Sequence, residues 1–127
     1  MELAEIIKTQ ALRFGFDRVG ITTAEPIEPQ HVRAFSEWIE KGHVADLIYM
    51  RKNSEKRIAP ARLLDDARSV ICVAVHYKPP PTPEAADQAK IANFALYEDY
   101  HPYIKERLWR LAEFIQTSLP AGVRWKY

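Results

Sequence analysis

The sequence predicts an α/β domain with a central sheet packed by helices. Three observations predict it. Residues 69–77, SVICVAVHY, are a continuous β-rich apolar run, as expected of a central strand covered on both faces. Residues 2–14, 30–41 and 102–118 repeat apolar side chains at helical spacing. A length of 127 residues, 47% hydrophobic and 28% charged, suits one domain with a real core and an ordinary globular composition.

In the first helix Leu3, Ile6, Ile7, Ala11 and Phe14 share a face, with Glu2, Glu5 and Lys8 outside, and Gly15 stands where a left-handed cap belongs. In DRVGITTA, Val19 and Ile21 alternate with Arg18 and Gly20, the pattern of a strand. EPIEP is a loop, and Pro29 opens a helix whose face is Val32, Phe35, Trp38 and Ile39 and which Gly42 ends. VADLIYM reads as a shorter helical piece, RKNSEKRIAP as a polar, basic loop, and PARLLDDA as a short helix opened by Pro60. After the 69–77 strand, the prolines of KPPPTPEAADQAK forbid regular pairing and make a surface loop. Ile104, Leu108, Leu111 and Ile115 form the buried stripe of the last helix. Pro102 at its first position makes His101 the cap residue. In GVRWKY, Val123, Trp125 and Tyr127 alternate with Arg124 and Lys126 as in a half-buried strand, and the chain stops inside that pattern, a hint that residues continue beyond Tyr127, the alternative being a C-terminal edge strand.

Several functions are excluded. A net charge of +1 gives no global case for nucleic acid or anionic membrane. MELAEIIKTQALRF carries acids and is not a signal peptide, and no apolar run approaches bilayer length, which leaves the cytoplasm as the default compartment. Cys72 alone can make no intrachain disulfide and cannot supply the thiolates of an iron–sulfur cluster. His31, His43, His76 and His101 are scattered without metal-ligand spacing. There is no G-x-S-x-G, and four dispersed glycines build no phosphate loop. The run Arg51, Lys52, Lys56 and Arg57 can touch phosphates, although such runs are more often solvated loops.

The stretch LYEDYH stays open between two readings. Asp99 can simply stabilise a helix N-terminus while His101 caps it and the tyrosines pack. Alternatively these groups, joined by Tyr77 at the end of the central strand, face a ligand.

The strings GFDRVGIT, FSEWIEKGHVADLIYMRKN, LLDDARSVICVAVHYKP and NFALYEDYHPYIKERLWRLAEFI run in the order seen in the N-terminal domain of epoxyqueuosine reductase, and over nearly its whole length the chain resembles that family. The resemblance implies a nitroreductase-like, cobalamin-processing-like α/β fold and an oxidoreductase of queuosine biosynthesis in tRNA. Such an enzyme uses cobalamin, with iron–sulfur clusters held in a further domain. It implies one domain over residues 1–127, the iron–sulfur domain being absent, and a truncated, C-terminally incomplete part of the reductase that is inactive alone. The family's acidic proton donor would follow the strand matching VRWKY, so no catalytic residue is assigned. Asp99, Tyr100, His101 and Tyr77 match the cofactor and substrate pocket. The implied partners are tRNA and a separate iron–sulfur chain, with no membrane. The alternative is a stand-alone, non-catalytic cobalamin- or tRNA-binding module. The chain departs from the family at Ala45 and Tyr97, near which the family has glycine, and at Asn93 and Phe94, where it has a basic residue and a tyrosine.

Overall fold

A computed structural model describes residues 2–77, 92–119 and 123–127. Among these, helix prevails: α1 (Leu3–Arg13), α2 (Pro29–Glu40), α3 (Ile48–Arg51), α4 (Ser54–Arg57) and α5 (Tyr100–Ser118), with two strands, β1 (Arg18–Thr23) and β2 (Ser69–Ala74). Single 3-10 turns lie at Pro60–Arg62 and Asn93–Leu96. The chain divides into two compact units, one of residues 1–20, 72–125 and 127, the other of residues 21–71 and 126.

In the first unit α1 packs on α5. Ile7 and Ala11 of α1 and Leu111 and Ala112 of α5 are buried, and Phe14 meets Phe114 edge-on at 6.5 Å. Gly15 leaves α1 at φ +95°, and a Cβ there would come within 3.2 Å of Arg107 Nε. This Arg107 is held from its other side, its guanidinium 3.3 Å over the Tyr103 ring and its Nη1 donating to the Tyr103 carbonyl at 2.9 Å. Glycine at position 15 therefore serves both the left-handed turn and the approach of α5.

The strands correct the expected fold class. β1 and β2 form a two-stranded sheet. The Asp17 N–H donates to the Ala74 carbonyl at 2.9 Å and the Ala24 N–H to the Arg68 carbonyl at 3.1 Å, so the pair is antiparallel. β2 is not a central strand covered on both faces: it ends at Ala74, and Ser69, Cys72 and Ala74 are exposed. Cysteine and alanine are small apolar residues that a half-exposed strand tolerates, which is why a continuous run in sequence became an alternating one in space. The fold is thus a helix-dominated domain with a two-stranded sheet among the described residues, not an α/β sandwich around a central sheet.

In the second unit, Val32, Phe35, Trp38 and Ile39 are the half-buried face of α2, with Phe35 and Trp38 stacked at 6.3 Å. Gly42 closes the helix at φ +74°: its N–H donates to Ile39 and that of His43 to Trp38, the paired bonds of a Schellman cap. Val44 is then fully buried. RKNSEKRIAP is not a plain loop, because residues 54–57 make the turn α4, entered through Asn53 at φ +56°. The PARLLDDA helix reduces to the 3-10 turn at Pro60–Arg62. The proline-rich stretch after Lys78 lies outside the described residues.

Ala45, one of the positions where the resembled family has glycine, sits at φ +45° and is exposed. A left-handed conformation costs a Cβ-bearing residue about 1–2 kcal/mol, and glycine returns about 0.4–1 kcal/mol of that through its freer unfolded chain. Ala45→Gly is expected to raise stability by roughly 0.5–1 kcal/mol, read as a thermal midpoint a few degrees higher. The other such position, Tyr97, is extended at φ −109° and needs no glycine.

The C-terminal stretch also differs from expectation. Residues 123–127 are not a strand, although Val123 and Trp125 are half-buried as their alternation suggested. Trp125 meets Trp109 of α5 edge-on at 5.0 Å, and Trp109 Nε1–H donates to the Tyr127 hydroxyl at 3.2 Å. The alternating aromatics Trp125 and Tyr127 thus pack on Trp109 of α5.

Candidate functional site

The start of α5 gathers the predicted residues. The helix begins at Tyr100, so Asp99 rather than His101 is the cap residue, and Pro102 is its third residue. Proline is harmless there because the first four N–H groups of a helix have no internal acceptor. Asp99 Oδ1 accepts the His101 backbone N–H at 3.0 Å and lies 2.5 Å from His101 Nδ1. The backbone bond first, then the imidazole contact, holds the Asp99 carboxyl below the ordinary aspartate value of 3.8. A depressed carboxyl stabilises the folded state above its ordinary value and ceases to as pH falls through the lowered one. Carboxyl-carbon NMR is expected to show Asp99 titrating below 3.8, with the first turn of α5 loosening over that same acid range; a titration at or above 3.8 would contradict the cap.

Aromatic rings surround this cap. Tyr100 and His101 stack at 4.3 Å with 21° between their planes. Tyr77 meets Tyr97 at 6.5 Å, edge to face, and lies parallel to His76 at 6.5 Å. Tyr77, Tyr97 and Tyr100 are 53%, 45% and 53% exposed. The structure therefore brings Asp99, Tyr100 and His101 together and sets Tyr77 against Tyr97, within one unit. Among the described residues the two ring pairs, with Tyr97 and Tyr100 three positions apart, form an exposed aromatic shelf.

Two residues beside it were not singled out from sequence as site groups. Asp17 Oδ2 accepts the His76 backbone N–H at 2.7 Å, fixing the end of β2 from which Tyr77 emerges. With Arg18, Ala74 and Val75 these residues line a cleft of about 380 Å³. Positions 17 and 76 are brought together by strand register, and no local motif marks them.

Iron–sulfur clusters were expected only in a further domain, and the described donors form no such site here. The cleft is at the lower end of the roughly 300–1,000 Å³ that encloses drug-sized ligands, and none of Tyr77, Asp99, Tyr100 and His101 lines it. The single cysteine is exposed, and no three His, Cys, Asp or Glu side chains among the described residues are placed to hold a metal. Among those residues no helix is long and apolar enough to cross a membrane.

Comparison with known proteins supplies the family. A model of the family described as epoxyqueuosine reductase QueG, DUF1730 matches residues 57–127. The epoxyqueuosine reductase of Cellulophaga algicola is 34% identical over 116 residues, which are 91% of this chain and 37% of that protein. The structure of epoxyqueuosine reductase from Streptococcus thermophilus superposes with a TM-score of 0.79 at 28% identity, covering 95% of this chain and 33% of that one. An epoxyqueuosine reductase crystallised with an epoxyqueuosine-modified tRNA-Tyr stem loop shares the fold, with a TM-score of 0.71 at 23% identity over 92% of this chain and 32% of that one. The chain spans about a third of the length of these relatives.

These matches correct two expectations. The reading as a truncated fragment is not carried forward: the shared fold takes in 95% of this chain and 33% of that relative. The reading as a working part of the reductase falls as well. The described residues place no three His, Cys, Asp or Glu side chains to hold a metal, and the matches support the family's fold and its link to tRNA rather than a catalytic role for this chain. The non-catalytic alternative is favoured.

Proposed function

We propose a function from one premise: the chain belongs to the epoxyqueuosine reductase QueG, DUF1730 family, and within it acts as a non-catalytic tRNA-binding module. The observation that carries this reading is the shelf at the start of α5, where the stacked Tyr100–His101 pair and the Tyr77–Tyr97 pair stand exposed on an anchored cap. Proteins recognise RNA loops by stacking unpaired bases on aromatic side chains and bonding their edges. Tyr100, His101, Tyr97 and Tyr77 offer the ring faces, and the second oxygen of Asp99 can accept from an exocyclic amino group. Residues 92–101 contain no lysine or arginine, and Glu98 and Asp99 repel phosphate, so the shelf reads bases rather than backbone. The shared fold of the relative crystallised with a tRNA stem loop supports this choice of ligand. The module works in the cytoplasm, where its proposed partner is.

Titrating the purified chain into a fluorescent, epoxyqueuosine-modified anticodon stem loop tests the proposal, with mass analysis of the nucleoside after incubation with reductant. Saturable binding with the epoxide intact is the expected result. Absence of binding, or conversion to queuosine, would overturn it.

A further inference from the structure

We infer that the α3–α4 segment of the second unit is a second RNA-contacting surface, one that takes phosphodiester backbone. The inference rests on the proposed RNA-binding role and supplies the backbone contact that the acidic shelf lacks. Residues 51–57 carry four cations, Arg51, Lys52, Lys56 and Arg57, against one acid, Glu55. Two four-residue turns joined through Asn53 present them together. The N–H groups of Lys56 and Arg57 both donate to the Asn53 carbonyl, at 3.0 and 3.3 Å. Arg57 Nη2 donates to the Tyr49 carbonyl at 3.0 Å, and its guanidinium lies 5.6 Å over the Tyr49 ring. The fold thereby draws α4 back onto α3 and fixes one guanidinium in place.

Clustering, four cations within seven residues, sets this surface apart. Elsewhere among the described residues Lys8, Lys41 and Arg110 each meet an acid one turn away. No ion pair joins Arg51, Lys52, Lys56 or Arg57 to an acid among the described residues, and Glu55 forms none with them. Apolar surface adjoins the cations: Ile48 and Tyr49 are 61% and 60% exposed. Cations interleaved with an aromatic face are what a nucleic-acid backbone and its bases require together.

The test uses the full chain with Arg51→Gln and Lys52→Gln combined, both side chains being exposed and unpaired. Binding of the anticodon stem loop and of an unrelated RNA duplex is measured from low to moderate salt, with a melting curve to show that folding is retained. The double variant is expected to bind both RNAs on the order of tenfold more weakly at low salt. Its log affinity against log salt should be shallower by about two. An unchanged slope in the variant, where the parent binds the stem loop, sinks this inference and leaves the shelf proposal standing. Parent binding to the duplex alone, with a slope that the variant lowers, does the reverse. A parent chain that binds neither RNA overturns both.

Discussion

Leu111→Ala is expected to destabilise the chain by about 2–5 kcal/mol, the range for emptying a well-packed leucine site. Leu111 is only 3% exposed and sits in the seam where α5 packs on α1. Its buried companions across and along that seam, Ala11 and Ala112, are too small to fill the space it would vacate, and Ile7 is the one larger buried side chain nearby on α1. The Phe14–Phe114 contact belongs to the same pair of helices and should loosen with it. Urea unfolding followed by circular dichroism measures the loss. A cost below about 1 kcal/mol would mean that the α1–α5 seam does not carry the stability of its unit.

Tyr100→Ala and Tyr97→Ala are each expected to weaken stem-loop binding by roughly 5- to 150-fold, the equivalent of the about 1–3 kcal/mol that a base stacked on an aromatic ring contributes. Tyr100→Phe keeps the ring face over His101 and should stay within a few-fold of the parent. Neither alanine variant should alter the salt dependence, because neither residue carries charge. Both rings are about half exposed, so their removal leaves the folded core intact. Equal binding by Tyr100→Ala and the parent, measured by anisotropy at fixed salt, would remove the shelf from recognition.

The helices were legible because periodicity and punctuation agreed. The spans read as 2–14, 30–41 and 102–118 are Leu3–Arg13, Pro29–Glu40 and Tyr100–Ser118, and Gly15 and Gly42 stand where the chain turns left-handed. The cap of α5 lies two residues before His101 because Pro102 stands at the third helical position, where proline is as well tolerated as at the first. Residues 54–57 were missed because a single turn is too short to show a period. The 69–77 run misled about architecture, since apolar character does not distinguish a fully covered strand from one whose outer positions are alanine and cysteine. At the site, DYH was visible as a local cluster. Its meaning was not, because a capping aspartate and a ligand-facing one have the same sequence. The Asp17–His76 bond, which fixes the strand end beneath Tyr77, depends on pairing between distant segments and left no local trace.

The central claim is that RNA loop bases stack on the rings around the α5 cap. NMR of the chain with carbon-13-labelled aromatic side chains, titrated with unlabelled anticodon stem loop, tests it most directly. The account predicts saturating shifts for the Tyr97, Tyr100 and His101 rings and for Tyr77, with the self-packed Trp109, Trp125 and Tyr127 cluster unmoved. Shifts confined to the tryptophan cluster, or binding that leaves the Tyr100–His101 pair unperturbed, would contradict it.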